Sequence, residues 1–517
     1  MKKHRFIIIY LVVYLLLQLL VLQSFPFVHS DEPWLSGLSR NMAENGSVRV
    51  TETFFDLKPR FPHAIKTLYH LLQIPFLLVF GYQVFAFRLL SLLCGLAALF
   101  LFYLILSKAT EKKALPIAGT ILLSIDIQFI YASHFARQES LILLVMLAVS
   151  YLLLFPQKRG VLFAGILTGL SIGVHPNSFL VAAMGGALLV AQSIQTRKLC
   201  FKSIGQYVGI VSAFAAFFVA LSFSFDQDFI RHYLSYGSEF QVSASLIDKV
   251  KEIAPYFQRL YYGVSGTYYT PNIRPQLLLF LGVLCASAIL VFFQKGRKLL
   301  YPLFAILGIL AGMTLIGRFN QPYVVFFFPF AYLLLFLGID AFSVETPHFL
   351  AKAPIMLLLA LVLLVGANAF IQIAPIVSQK EQYDGYLAEI ASVVPKNAKT
   401  IGNLNAEYHF ENGALLDYRN LPYLKEKELP LQEYIEQNGV EYLIISDELA
   451  FLHSLRPTWN GVYGNINFLE ELNTFLSTRC TLLHSFESNQ YGVRIVRYQN
   501  GEQSFTIRIY RYDGESG

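Results

Sequence analysis

Residues 1–46 read MKKHRFIIIYLVVYLLLQLLVLQSFPFVHSDEPWLSGLSRNMAENG. A basic start, Lys2-Lys3-His4-Arg5, leads into an apolar run over 6–23, and an acidic pair, Asp31-Glu32, follows a few residues past its far end. The run is long for the core of a secretory signal and no clear small-residue cleavage site follows, so it reads as a retained first membrane span. With the basic residues on the cytoplasmic side, Asp31 and Glu32 head a half-polar loop at the opposite face. Adjacent carboxylates beside a membrane are costly unless water, a cation or a substrate meets them. Their placement points to an active site opening at the outer face; a solvated loop start is the plain alternative.

The remainder of the 517 residues supports a membrane setting. The chain is 55% hydrophobic and 14% charged, with a mean hydropathy of +0.51, the composition of a polytopic α-helical membrane protein. Its net charge of +6 is no nucleic-acid signal, because the basic residues lie in short loops between apolar spans. Cys94 and Cys285 fall inside spans, Cys200 in a basic loop and Cys480 far from the others, so no disulfide framework is expected.

Apolar runs predict about eleven spans, at 6–23, 85–107, 114–131, 140–155, 161–175, 178–194, 206–224, 277–294, 299–316, 322–339 and 354–373. One set of loops is basic: the N-terminus, Lys108 with Lys112-Lys113, Lys158-Arg159, Arg197-Lys198 with Lys202, and Lys295 with Arg297-Lys298. The positive-inside rule places these in the cytoplasm. The other set, led by loops 24–84 and 225–276, is long and aromatic and is expected to face outward in the plasma (inner) membrane. The alternation holds only if 64–81, AIKTLYHLLQIPFLLVFG, lies along the outer interface. The loop 225–276 carries Tyr256, Tyr261, Tyr262, Tyr268 and Tyr269 beside Gly263 and Gly266, a pattern suited to sugar stacking and to the headgroup zone alike.

After a membrane module over 1–374 the composition becomes that of a soluble domain. Strand-like runs at KTIGNL, VEYLIIS, YGVRIVRY and SFTIRIYRY and helical patterns at YDGYLAEIASVV, LQEYIEQNG and INFLEELNTFL predict an extracytoplasmic α/β domain over 375–517. It has no nucleotide motif or acid–base cluster of its own and is expected to bind or orient the acceptor.

Polar residues gather at the outer boundary: Asp31, Glu32, Arg88, Asp126, His134, Arg137, Glu139, His175 and Arg318. Each has an ordinary explanation singly, as a snorkelling helix end, a local ion pair or a helix stop. The mixture of sign is what transfer from a phosphate-linked donor needs: a carboxylate takes the proton of an acceptor hydroxyl, and arginine binds a departing phosphate bidentately.

The order Asp-Glu, FGYQVFAFRLLSLLCGLAALFLFYLI, SHFARQESLILL and AGILTGLSIGVHPNSFLV resembles the GT-C superfamily of glycosyltransferases, in particular bacterial relatives of protein O-mannosyltransferases and of aminoarabinose lipid A transferases. RFNQPYVVFFFPFAYLL extends the likeness more weakly. The resemblance implies an inverting transferase using a polyprenyl-phosphate sugar, with Asp31 as catalytic base, Glu32 as its acidic neighbour, Glu139 as a second acidic position and Arg88 at the donor phosphate. Arg137 and Arg318 are expected to join Arg88 there. His175, Lys66, Tyr69 and Asp126 are expected to contact substrate. No metal ligand set is assigned; no cofactor is certain, and a divalent cation on the Asp31-Glu32 oxygens is left open. FPHAIKTLYHLL stands where aminoarabinose transferases carry a lysine-proline-proline-leucine box, and there is no luminal trefoil domain. The acceptor, a glycan, lipid or protein, therefore stays open. The rival class is a transporter or flippase of lipid-linked saccharides, which would place ionisable groups near the bilayer midplane; here the span centres are almost free of charge.

Overall fold

A computed structural model describes residues 4–155, 157–238, 244–264, 268–292, 297–345, 353–379, 382–455, 465–488, 490–491 and 505–514. The expected loop residues Gly266 and Lys295, and most of the strand-like run 491–498, lie outside them.

Every expected span falls on apolar helix. In chain order the elements are α1 (Arg5–Val21), α2 (Asp31–Asn45), α3 (Thr67–Phe80), α4 (Val84–Ala109), α5 (Ala114–Ser124), α6 (Ile127–His134), α7 (Glu139–Leu154), α8 (Gly160–Ile172), α9 (Ser178–Thr196) and α10 (Phe201–Phe225). Three short helices follow, α11 (Phe229–Ser238), α12 (Leu246–Lys251) and α13 (Ile253–Tyr262), then α14 (Arg274–Phe292), α15 (Leu300–Ile316), α16 (Phe328–Glu345) and α17 (Ala353–Val377). Among the described residues seven helices are long and apolar enough to cross a membrane, while α1, α7 and α8 are shorter apolar helices. The stretch expected as one span over 114–131 is instead two helices, α5 and α6, bent by 63°. The cause is Asp126. Its carboxylate accepts hydrogen bonds from the backbone N–H of Gln128 (2.9 Å) and Phe129 (3.2 Å), capping α6 and ending α5.

Close helix approach is set by small residues. Gly308 of α15 faces α9 so closely that a Cβ there would stand 2.8 Å from the Ala183 carbonyl oxygen. Outward, Phe217, Leu281 and Phe370 are exposed, as expected of faces that meet lipid rather than protein.

The C-terminal region is the anticipated α/β unit. Helix α18 (Tyr383–Ala391) leads to a five-stranded sheet of order β2-β1-β3-β5-β4, with β1 Thr400–Gly402, β2 Leu415–Asp417, β3 Tyr442–Ser446, β4 Cys480–Ser488 and β5 Phe505–Tyr512. β1 runs parallel to β2 and β3; β5 is antiparallel to β3 and β4. Ile401, Leu443 and Ile445 pack with Leu431, Ile435 and Leu472 from α19 (Leu431–Gln437) and α21 (Leu469–Arg479); α20 is Glu448–Leu455.

This unit grips the segment between α1 and α3. Phe54 O accepts from Asp417 N (3.0 Å) and Asn420 Nδ2 (2.9 Å), while Asn420 Oδ1 accepts from Lys58 N (3.1 Å). Ser36 donates to the Tyr408 hydroxyl (2.9 Å). Arg40, at the far end of α2, forms a buried ion pair with Glu407 and donates to Phe410 O (2.8 Å). The helix that begins with Asp31-Glu32 is thus held from both ends.

Candidate active site

Asp31 and Glu32 open α2, where carboxylates in the first turn are favoured by the helix dipole. His29 fixes the turn: its Nδ1 accepts from Asp31 N–H (3.0 Å), and its own N–H donates to Glu32 Oε1 (3.2 Å). Successive helical residues diverge by about 100°, so the two carboxylates point apart and meet different partners.

Glu32 turns inward and is fully buried. Arg88, one turn into α4, is equally buried and clamps it bidentately, Nε to Oε2 at 2.8 Å and a terminal nitrogen to Oε1 at 2.7 Å. The other terminal nitrogen donates to the carbonyls of Leu22 (2.9 Å) and Gln23 (3.2 Å). Glu32 also accepts from Ala136 N–H (3.1 Å). The pair ties the end of α1, the start of α2 and the α6–α7 loop to α4.

Asp31 turns outward, its side chain 14% exposed. Its Oδ2 accepts from Arg137 (2.8 Å) and from the Tyr268 hydroxyl (2.8 Å), and Arg137 also donates to that hydroxyl (2.5 Å). Arg137 reaches Glu139 Oε1 at 3.1 Å with its other terminal nitrogen. His29 stacks on the Tyr268 ring, centroids 4.7 Å apart. Three carboxylates therefore meet two guanidiniums, and Asp31 and Glu139 share one of them. The Oε2 of Glu139 is buried without a hydrogen bond among the described residues. A partly exposed carboxylate that shares its cation can take a proton from a hydroxyl brought to it.

Of the other residues singled out in the sequence, Arg137, Arg318 and Lys66 all act electrostatically on His175, which follows α8, and Tyr69 lies within the fields of Glu139, Arg137 and Glu32. These positions therefore lie in the neighbourhood of Arg137, the partner of Asp31. Asp126 does not join them: it is fully buried, caps α6 and accepts from the Tyr332 hydroxyl (2.6 Å). Lys66 is also tied down by a cluster the sequence reading did not anticipate. Buried Glu52 accepts from Arg60 (2.9 and 2.8 Å), Lys66 (3.2 Å) and Trp34 Nε1 (2.8 Å). Burial alone would push its carboxyl up, but Arg60 and Lys66 outweigh that and hold it well below its ordinary value. Glu52→Gln should cost about 1–3 kcal/mol, the penalty for leaving buried charged donors unmatched, read as a lower unfolding midpoint of the purified protein. The other unanticipated contact is Tyr268. The tyrosine-rich loop marked it, but nothing in the sequence joined it to Asp31. Tyr268→Phe should lower transfer about 2–10-fold, the worth of a hydrogen bond of about 0.5–1.5 kcal/mol, in an assay of initial rates.

Among the described residues no three His, Cys, Asp or Glu side chains are grouped to hold a metal ion. Asp31, Glu32 and Glu139 are each paired with an arginine.

No family model matches this chain, and no curated protein matches it in sequence. Solved structures do. ArnT from Cupriavidus metallidurans bound to undecaprenyl phosphate superposes with a TM-score of 0.58 at 13% identity, covering 98% of each chain. The apo state of that protein gives 0.57 at 13% identity, over 89% of this chain and 95% of that one. The apo oligosaccharyltransferase of Archaeoglobus fulgidus gives 0.53 at 11% identity, over 87% and 70%. The chain shares the fold of these solved structures, and the likeness to ArnT runs nearly end to end, C-terminal unit included.

Proposed function

We propose that this protein is a membrane glycosyltransferase that moves a sugar from a polyprenyl-phosphate donor to an acceptor hydroxyl at the outer face of the plasma membrane. The observation that carries the reading is the outward-turned Asp31 carboxylate beside Arg137, in a fold shared with a protein captured on undecaprenyl phosphate. Asp31 takes the acceptor's proton as its oxygen attacks the anomeric carbon. The bond from that carbon to the phosphate oxygen breaks, and polyprenyl phosphate leaves with the electron pair. Arg137, Arg318 and Lys66 form the cationic side that receives the phosphate, with the uncharged His175 ring beside them as a hydrogen-bonding partner. Arg88 has a different part: its donors are taken up by Glu32 and two backbone carbonyls, so it braces the acidic pair rather than the donor. No step is routed through a metal ion.

The direct test is incubation of the purified protein with radiolabelled polyprenyl-phosphate sugars and membrane extract. Label passing to an acceptor supports the reading; no consumption of any donor overturns it. The outward orientation has its own check. In a cysteine-free background, Glu426→Cys, at an exposed position of the C-terminal unit, should react with a membrane-impermeant thiol reagent in intact cells. Labelling only after lysis would reverse the assignment.

A further inference from the structure

A second concave site lies where the C-terminal unit meets the membrane module. Its floor is the end of α1 and the start of α4, with Gln23, Tyr82 and Gln83; its roof is Tyr383 and Asp384 of α18 together with Tyr408. The tyrosines form a connected aromatic wall: Tyr82 and Tyr408 have ring centroids 4.8 Å apart, and Tyr383 meets Tyr408 edge-on at 6.2 Å. The rim is rich in hydrogen-bond acceptors. Gln83 donates its amide N–H to Phe80 O (2.7 Å), which leaves its Oε1 turned away from that bond. Asp384 adds a carboxylate, and no lysine or arginine lines the cleft.

That combination selects a ligand class. With a carboxylate and no cation, the cleft disfavours phosphates and other anions. Amide and carboxylate oxygens want donors, and the ring edges left at the wall, the tyrosine faces being covered by one another and by Arg40 over Tyr82, add apolar surface. A saccharide meets both, through its hydroxyls and its C–H faces. The cleft is also joined to the acidic pair by one side chain: the Arg88 guanidinium that clamps Glu32 donates to the carbonyl of Gln23 on the cleft floor.

We infer that this seam is a saccharide-binding cleft that seats the sugar portion of the acceptor. The inference rests on the glycosyl-transfer reading for the word acceptor, but not for binding itself. The test uses the full-length protein in nanodiscs, probed by saturation-transfer NMR with maltotetraose, chitotetraose and mannotetraose. At least one should bind. The double variant Gln83→Ala/Asp384→Ala should weaken it about tenfold, the loss of one or two hydrogen bonds. Gln83→Trp, which fills the cleft, should weaken it as well. Both positions are exposed, so the fold should persist, read as an unchanged unfolding midpoint. Binding by none of the three saccharides, or binding unchanged in both variants, overturns the inference. Saccharide binding that the variants abolish, with no polyprenyl-phosphate donor consumed by any form in the presence of membrane extract, sustains the cleft and instead overturns the transferase reading.

Discussion

Asp31→Asn is expected to slow sugar transfer by about 10²–10⁴-fold, the usual cost of removing a positioned base, with the unfolding midpoint nearly unchanged. The substitution keeps volume and the acceptor oxygen that meets Arg137 and Tyr268, while removing the charge that would take the proton. The side chain is partly exposed, so Arg137 retains water and Glu139 as partners. Initial rates with a labelled donor are the measurement. A folded Asp31→Asn protein that transfers at the wild-type rate would sink the base assignment and move it to Glu139, the other carboxylate on Arg137.

Glu32→Gln and Arg88→Met are expected to act the other way, through stability first. Both partners are fully buried and joined by two hydrogen bonds, and removing one member of such a pair leaves an uncompensated charge worth about 3–5 kcal/mol. Denaturant unfolding in detergent should show the loss for each single variant. The double variant Glu32→Gln/Arg88→Met should be less destabilised than the two losses together, because neither charge is then left alone. Single variants as stable as the wild type would mean that the pair does not brace the junction of α1, α2 and α4.

The membrane helices and the acidic pair were legible in the sequence because each rests on local pattern: apolar runs of the right length, and two carboxylates just past the first of them. β5 was legible for the same reason, since Phe505, Ile507 and Ile509 are buried in alternation along it. β4 was not. It is an edge strand, largely exposed and broken by a register shift between Leu482 and His484, and CTLLHSFES carries no alternation to read. The break at Asp126 was missed because the surrounding residues are uniformly apolar and one capping side chain ends the helix. The division of labour between Asp31 and Glu32 was beyond sequence altogether. It depends on Arg88, 56 residues on from Glu32, and Arg137, 106 on from Asp31, and no local rule says which arginine each carboxylate will meet. Arg88 and Arg137 were both picked out, yet Arg88 holds a carboxylate where it was expected to hold a phosphate.

The grip of the C-terminal unit on α2 also bears on how the molecule comes into being. Arg40 is made early, but its partner Glu407 lies 367 residues later in the chain, and Ser36 waits 372 residues for Tyr408. During synthesis the helix that begins with the acidic pair is therefore made long before its partners in the C-terminal unit, with only near neighbours such as Thr51, His70 and Gln73 to hold. Its contacts to Glu407 and Tyr408 form only when about the last quarter of the polypeptide has been made and folded. A chain cut short before Glu407 would carry every side chain of the acidic centre and still lack the contacts that the C-terminal unit makes to α2.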